Sequence, residues 1–343
     1  MKKYLLDLTQ TQFKAAAKHI IPKDYIFEQI MRWVYEKKVS SFDNFTNLSK
    51  DIRTKLSENF DLRTLSIVKK EISNIDGTIR YTFKTADKKS FFAVFLPSKD
   101  KNSVCISSQI GCPVGCLFCS TGKSGFTRNL SRGEILEQIL QIENDTKQKI
   151  SGVLFMGMGE PLFNYNSVIS ALKSLLSKNE FYIGKRHITL STVGIAAAIK
   201  KLVEENLNIR LAISLHSTDD KQRKRIIPEN FGFPIDEIMN AAQYYFKKTN
   251  SHLTIEYILI KDFNDSPADA HKLARLLKRR FLINPKVQVN LIPFNYVRGS
   301  QFIPSTSLSI EKFKNILKVS GIIANIRQAK GSDISAACGQ LGY

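Results

Sequence analysis

Three cysteines, Cys112, Cys116 and Cys119, fall within eight residues in the string Gly111-Cys112-Pro113-Val114-Gly115-Cys116-Leu117-Phe118-Cys119. Spaced C-x3-C-x2-C on one short loop, three thiolates can hold three irons of a [4Fe–4S] cluster and leave the fourth iron open. Any fold adopted by this chain has to present that loop around one site. Pro113 and Gly115 help the loop wrap, and Gly111 lets the backbone approach closely. The rival reading is zinc, which in structural sites takes four protein ligands, usually from paired C-x2-C knuckles. No second knuckle exists, although Cys105 or a histidine could supply a fourth ligand. The two remaining cysteines are Cys105 and Cys338. Such clustering points to metal binding or thiol chemistry in a reducing compartment, not to a disulfide framework.

After Cys105 the hydrophobic pattern alternates between short apolar strands and amphipathic helices. Ser131 and Glu134 form a capping box ahead of the helix Ile135 to Ile142. Val153 to Met156 reads as a buried strand and Tyr165 to Leu176 as a helix. Ile188 to Ser191, Ile209 to Leu215, Leu253 to Ile260 and Val287 to Ile292 read as further strands, with helices between them. Helix Ile310 to Val319 and strand Ile323 to Arg327 close the series. This alternation predicts an α/β fold with a parallel sheet, as a partial or full (β/α) barrel. Chemistry in such a fold sits at the carboxyl ends of the strands. Before Cys105 the pattern differs. Helices are expected over Asp24 to Lys38 and Leu48 to Phe60, followed by strands at Leu65 to Val68, Ile79 to Phe83 and Phe91 to Leu96, with a turn at Asp76-Gly77. The expected division is an accessory domain of helices and a hairpin over 1–97 and a catalytic domain over 98–343.

Lys and Arg number 51 against 31 Asp and Glu, a formal net charge of +20. That excess favours a polyanionic partner through counterion release. The basic stretches Lys221 to Arg225 and Lys278-Arg279-Arg280 are candidate phosphate contacts, and the N-terminal domain a candidate for shape recognition of RNA. Apolar runs are too short to span a bilayer, and the N-terminus lacks a signal-peptide core, so a cytoplasmic protein is expected. A monomer is the default expectation.

Several polar motifs follow expected strands. Gly157-Met158-Gly159-Glu160 follows Met156, where a carboxylate can hydrogen-bond an ammonium group. Ser191-Thr192 and Ser214-Leu215-His216-Ser217 end two further strands, and hydroxyls or an imidazole there can bind ribose or carboxylate. Taken one at a time, these are ordinary loop residues. His19, His187, His252 and His271 show no ligand spacing and read as structural or surface groups.

Together these strings resemble one branch of the radical S-adenosylmethionine (SAM) superfamily. Cys105 to Cys112, Phe118 to Gly122 and Phe126 to Leu130 are similar to the RlmN family of dual-specificity adenine-C2 RNA methyltransferases. The resemblance runs from about residue 20 to the end. It implies one [4Fe–4S] cluster on Cys112, Cys116 and Cys119, and SAM held by Gly159, Glu160, Ser191, Ser214, Leu215, His216 and Asn295. It implies two SAM molecules per turnover, one methylating Cys338 and one yielding a 5′-deoxyadenosyl radical that takes hydrogen from that methyl group. The methylene on Cys338 then joins the adenine, and Cys105 attacks Cys338 to form a disulfide and release the RNA. The implied substrates are adenosine 2503 of 23S rRNA and, as a second target, adenosine 37 of tRNAs, with a flavodoxin- or ferredoxin-type electron donor.

One departure stands out. The family usually carries a Glu thirteen residues before the position of Cys105, proposed as the base for the ring proton. Phe92 occupies that place here. Two other readings compete. One is the related C8 methyltransferase of the Cfr type, against which Pro161 argues, since Ala is usual there. The other is a non-catalytic RNA-binding protein with a structural metal, which leaves Cys105 and Cys338 unexplained.

Overall fold

A computed structural model of the chain describes residues 2–228 and 233–342. Its centre is a ten-stranded sheet. In chain order the strands are β1 (Leu65–Ile72), β2 (Ile79–Thr85), β3 (Ser90–Leu96), β4 (Ser103–Cys105), β5 (Gly152–Phe155), β6 (Ile188–Thr192), β7 (Arg210–Ser214), β8 (Leu253–Leu259), β9 (Val287–Pro293) and β10 (Ile323–Ile326). Spatial order follows chain order without reversal. The seven strands β4 to β10 pair in parallel. Six helices make the crossovers: Arg132–Thr146, Tyr165–Leu176, Ala196–Glu204, Ile235–Thr249, Pro267–Phe281 and Ser307–Val319. Unidirectional βα winding is the barrel pattern. Among the described residues the sheet stays open, with β1 and β10 as its edges, so the barrel is partial.

Helix starts follow local capping chemistry. Ser131 accepts the N–H of Glu134 while the Glu134 side chain takes the N–H of Ser131, the reciprocal box read in the sequence. Ser266 and Asp269 do the same for Pro267–Phe281, with Pro267 in the first turn. The central strand β7 is buried on both faces, which is why Leu211-Ala212-Ile213 runs apolar without alternation.

The hairpin strands take a different place from the one expected. β1 pairs antiparallel with β2, β2 with β3 and β3 with β4, so they extend the catalytic sheet rather than forming a unit with the helices. The physical reason is written in β3, whose run Phe91-Phe92-Ala93-Val94-Phe95 is buried on both faces and needs cover on each. The helices Gln10–Ala16, Asp24–Tyr35 and Lys50–Asn59 build a second core over residues 5–62, which Leu140 of the first crossover helix also joins. Arg132 ties the two together: its guanidinium donates to the carbonyls of Leu6 and Leu8, and the N–H of Gly133 donates to the Asp7 carboxylate at 2.7 Å. Among the described residues no helix is long and apolar enough to cross a membrane.

Candidate active site

The cysteine loop leaves a short ribbon in which Gln109–Gly111 pairs with Phe126–Asn129. Gly111 has φ +76°, and a Cβ there would lie 1.9 Å from the carbonyl oxygen of Gly125. Only glycine fits, and the contact lets the Cys112 N–H donate to that same carbonyl at 2.8 Å. Leu117 N–H donates to Ile226 O at 2.9 Å, and Cys119 opens the short helix Ser120–Lys123. Cys112, Cys116 and Cys119 thereby line one cavity at the carboxyl ends of β5 to β9. Burial pushes the Cys112 thiol up to about 12, against backbone N–H groups of Val114 and Gly115 that favour the thiolate. Cys119 is raised by burial as well, and N–H groups of Gly122 and Thr121 oppose it. Buried thiols carrying N–H donors are suited to a cationic metal group, which offsets the cost of ionising them. Among the described residues, no three His, Cys, Asp or Glu side chains gather closely enough for one metal ion. The three thiols border a cavity instead, and this donor set fits a cluster better than a single zinc.

Glu160 stands in the wall of the same cavity, 4% exposed. Its carboxylate accepts the backbone N–H groups of Leu162 at 2.9 Å and Val193 at 2.8 Å. Burial still pushes the acid up to about 7. Gly159 (φ +97°) turns the chain into Glu160 where a Cβ would meet Gln109 at 2.4 Å. Ser191 and Ser214, at the ends of the neighbouring strands β6 and β7, face each other with hydroxyls 3.5 Å apart. His216 adopts φ +62°, and its Nδ1 accepts the N–H of Ile258 at 3.0 Å. Burial, with Arg223 nearby, lowers it to about 3, so the ring is neutral and carries its proton on Nε2. Its ring meets Phe118 edge-on at 4.9 Å between the cysteine ligand candidates.

Two residues of the expected SAM set lie elsewhere. The Leu215 side chain is fully buried, away from the cavity wall; its N–H donates to Glu256 O at 3.1 Å, and its carbonyl accepts from Arg223 Nε at 2.9 Å and from the Ser217 N–H at 2.8 Å. Asn295 donates its amide to the carbonyl of Cys338 at 3.0 Å.

Cys338 lies on the wall of this first cavity and also of a second, where Cys105 faces it. All five cysteines are free thiols, so no disulfide joins the pair in this state. Burial, and secondarily Cys338, pushes Cys105 up to about 12. The lining of the second cavity includes the apolar Val94, Leu96 and Leu154 and the cationic Lys101, Arg327 and Lys330. Phe92, on the same face of β3 as Val94, is buried, with the Arg80 guanidinium 5.2 Å from its ring centre.

Sequence reasoning missed three groups. Arg223, inside the stretch read as a phosphate contact, is 1% exposed. It donates to the carbonyls of Leu215, Val193, Ser214 and Phe233 and shapes the wall behind the serines. Glu256 lines the first cavity, pairs in register with Ser214 on one side and Asn290 on the other, and accepts Asn290 Nδ2 at 2.9 Å. Arg327, just past β10, hydrogen-bonds Cys338. Burial works against its charge, but Cys338 and Glu256 hold its pKa above the usual guanidinium value. Its position one residue past the last parallel strand was the available signal.

Comparison with known proteins agrees with this geometry. Residues 106–274 match the radical SAM superfamily and residues 3–62 the ribosomal RNA large subunit methyltransferase N-terminal domain. The chain is 65% identical over 342 residues to a probable dual-specificity RNA methyltransferase RlmN of Endomicrobium trichonymphae, covering 100% of this chain and 98% of that protein. It is 48% identical over 337 residues to a protein of the same name from Pseudothermotoga lettingae, covering 98% and 96%. A radical SAM methyltransferase from Sphaerobacter thermophilus superposes with a TM-score of 0.93 at 36% identity, covering 99% of each chain. The chain therefore belongs to the RlmN family of dual-specificity RNA methyltransferases, within the radical SAM superfamily.

Proposed function

We propose that this chain methylates C2 of an adenosine in 23S rRNA and in tRNA, with Cys338 as the methyl carrier and Cys105 as the thiol that releases the product. The observation carrying this reading is the position of Cys338 on the wall shared by two cavities. One holds the three clustered cysteines and Glu160, and the other holds Cys105. A thiol placed there meets a methyl donor on one side and a base on the other.

Cys112, Cys116 and Cys119 would hold a [4Fe–4S] cluster. Gly159, Glu160, Ser191, Ser214 and His216 would hold SAM, two molecules being used per turnover. When bound, the cluster supplies the electron that breaks SAM into a hydrogen-abstracting radical. That route suits adenine C2, an electron-poor carbon without a lone pair or readily acidic proton. Cys338 takes a methyl group by thiolate displacement, carries it as a thioether and, after losing a hydrogen atom from it, bonds the ring carbon. The adduct gives up one electron to the external carrier and the ring carbon its proton to solvent. The Cys105 thiolate then attacks the Cys338 sulfur, the sulfur–carbon bond breaks, and the freed carbon takes a proton from solvent to become the methyl group. The Cys105–Cys338 disulfide left behind is reduced by the external thiol or electron donor before the next turnover. An external reductant of flavodoxin or ferredoxin type supplies electrons.

The second cavity supports an RNA base: apolar lining residues for the purine, and Lys101, Arg327 and Lys330 for the phosphates. The net charge of +20 supports the same partner. No Asp, Glu or His is among the described residues lining that cavity, and Phe92 replaces the family's usual acid, so the ring proton is assigned to solvent. A cytoplasmic monomer fits this role.

The test is anaerobic incubation of the cluster-loaded protein with SAM, reductant and unmodified 23S rRNA fragment or tRNA, followed by nucleoside mass spectrometry. 2-Methyladenosine is the expected product. 8-Methyladenosine would place the chain with the Cfr-type enzymes. Absence of both methyladenosine and 5′-deoxyadenosine would overturn the reading.

A further inference from the structure

The turn between β1 and β2 and the loop carrying Cys338 are remote in sequence but joined in space. Ser73 Oγ donates to Asp333 Oδ1 at 2.7 Å, and the Asn74 N–H donates to Asp333 Oδ2 at 3.0 Å. In the other direction the Gly331 N–H donates to Asp76 Oδ2 at 3.1 Å, with Lys330 3.9 Å from the same carboxylate. Arg80, itself bonded to Glu71 at 2.6 Å, donates to the carbonyl of Ser335 at 3.3 Å. The fit is close: a Cβ on Gly331 (φ +63°) would meet Thr78 Cγ2 at 2.8 Å.

Beyond Cys338 the same loop is held from the opposite side. Ser120 N–H donates to Gly339 O at 2.7 Å, and Thr121 Oγ1 donates to Leu341 O. These two residues directly follow Cys119, so one end of the loop is fixed to the cluster segment and the other to the hairpin. The loop has little regular structure of its own, a single 3-10 turn over Ser332–Ile334 ending in Ser335 at φ +53°. Its shape is set by these outside partners.

We propose that the β1–β2 turn is a clasp for the Cys338 loop, with Asp333 and Asp76 as positioning residues that hold the thiol where it serves both cavities. The clasp explains why β1 to β3 belong to the catalytic sheet: they carry the turn to the site. This inference rests on the reading of Cys338 as the methyl carrier. Cutting Asp333 frees both Ser73 and Asn74, and the thiol then misses the base although the radical still forms.

The test compares the cluster-loaded full chain with Asp333→Ala, Asp333→Asn and Asp76→Ala. Two readouts are taken: 5′-deoxyadenosine formed per methyladenosine, and amide hydrogen exchange over 331–338. Asp333→Ala is expected to raise the ratio about tenfold, with RNA KM and melting temperature unchanged, and to speed exchange of the loop about tenfold, the size of losing one or two charge-assisted hydrogen bonds. Asp333→Asn, which keeps one acceptor, falls between. An unchanged exchange rate overturns the clasp, and faster exchange with an unchanged ratio overturns its positioning role. Ser73→Ala gives the same reading if an aspartate variant fails to fold. If the parent protein makes no methyladenosine, the methyl-carrier reading fails, while the exchange data still judge the clasp.

Discussion

Glu160 accepts the backbone N–H of Val193 at 2.8 Å, a bond that spans from the loop after β5 to the loop after β6. It aims a buried carboxylate into the cavity and leaves it with a pKa of about 7, burial being the larger effect and the two N–H donors opposing it. An ammonium group bound there favours the ionised form, so SAM binding near neutrality releases a proton. Below pH 7 the acid must first give up that proton, and affinity falls by about tenfold per pH unit. Calorimetric titration of the cluster-loaded protein with SAM between pH 5.5 and 7, in buffers of different ionisation enthalpy, measures both effects. Glu160→Gln removes them. Wild-type affinity that is flat across this range would disprove the assignment of Glu160 to the SAM ammonium.

His216 is shifted the opposite way, with a linkage of the same sign. Its folded pKa of about 3 lies below the ordinary value of 6.5, because burial and Arg223 disfavour the cation. The unfolded chain therefore takes up a proton below pH 6.5 that the folded chain refuses. The stabilisation is full above 6.5 and is lost as pH falls toward 3. The expected slope from this one group is about 1.4 kcal/mol per pH unit between pH 4 and 6. His216→Asn tolerates the positive φ and keeps an acceptor for the Ile258 N–H. Urea unfolding at several pH values should show the slope reduced by that amount in the variant.

Much of this was legible before any coordinates. The cysteine spacing pointed to the cluster loop, the capping box at Ser131 marked the first crossover helix, and the strand-ending motifs placed Glu160, Ser191, Ser214 and His216 on one wall. Local chemistry carries that information, because caps, turns and ligand spacings are short-range. What escaped is long-range. β1 to β3 read as part of an accessory unit, since nothing in an antiparallel hairpin says which edge it joins. Leu215 entered the cofactor set through the family resemblance, and the structure turns its side chain into the core between Ser214 and His216, a burial its place in the motif does not show. Arg223 looked like one more surface cation in a basic run, and only tertiary packing reveals the carbonyls that surround it.

Those carbonyls give Arg223 a structural role. Its guanidinium serves Leu215, Val193, Ser214 and Phe233, a spread no ammonium group can match. Arg223→Met strands buried acceptors and is expected to cost about 3 kcal/mol, with Arg223→Lys recovering little. Lys221→Ala, at an exposed position of the short helix Asp220–Lys224 that also carries Arg223, should leave stability within about 0.5 kcal/mol. If Lys221 meets an RNA phosphate, the same change lowers the salt dependence of RNA binding by about one ion. Chemical denaturation and binding over a salt series separate the two roles. An Arg223→Met protein of unchanged stability but weaker RNA binding would return that residue to the surface reading.

Cys105 has to be a thiolate when it attacks Cys338, and it starts from a pKa of about 12. Burial is the main cause, Cys338 adds to it, and Arg327 opposes it. At pH 7 only a small fraction is ionised, and that fraction grows about tenfold for each unit of pH until the pKa is approached. Release of the RNA from Cys338 should therefore be the pH-sensitive step. In single-turnover reactions quenched at fixed times, the covalent protein–RNA species is expected to be most abundant at pH 6.5 and to fall steadily toward pH 9. Consumption of SAM changes far less over the same range. Cys105→Ala should hold the adduct at every pH. Denaturing gel electrophoresis of labelled RNA reads both proteins directly. An adduct whose lifetime in the parent enzyme ignores pH would mean that another group, not the buried Cys105 thiol, limits release.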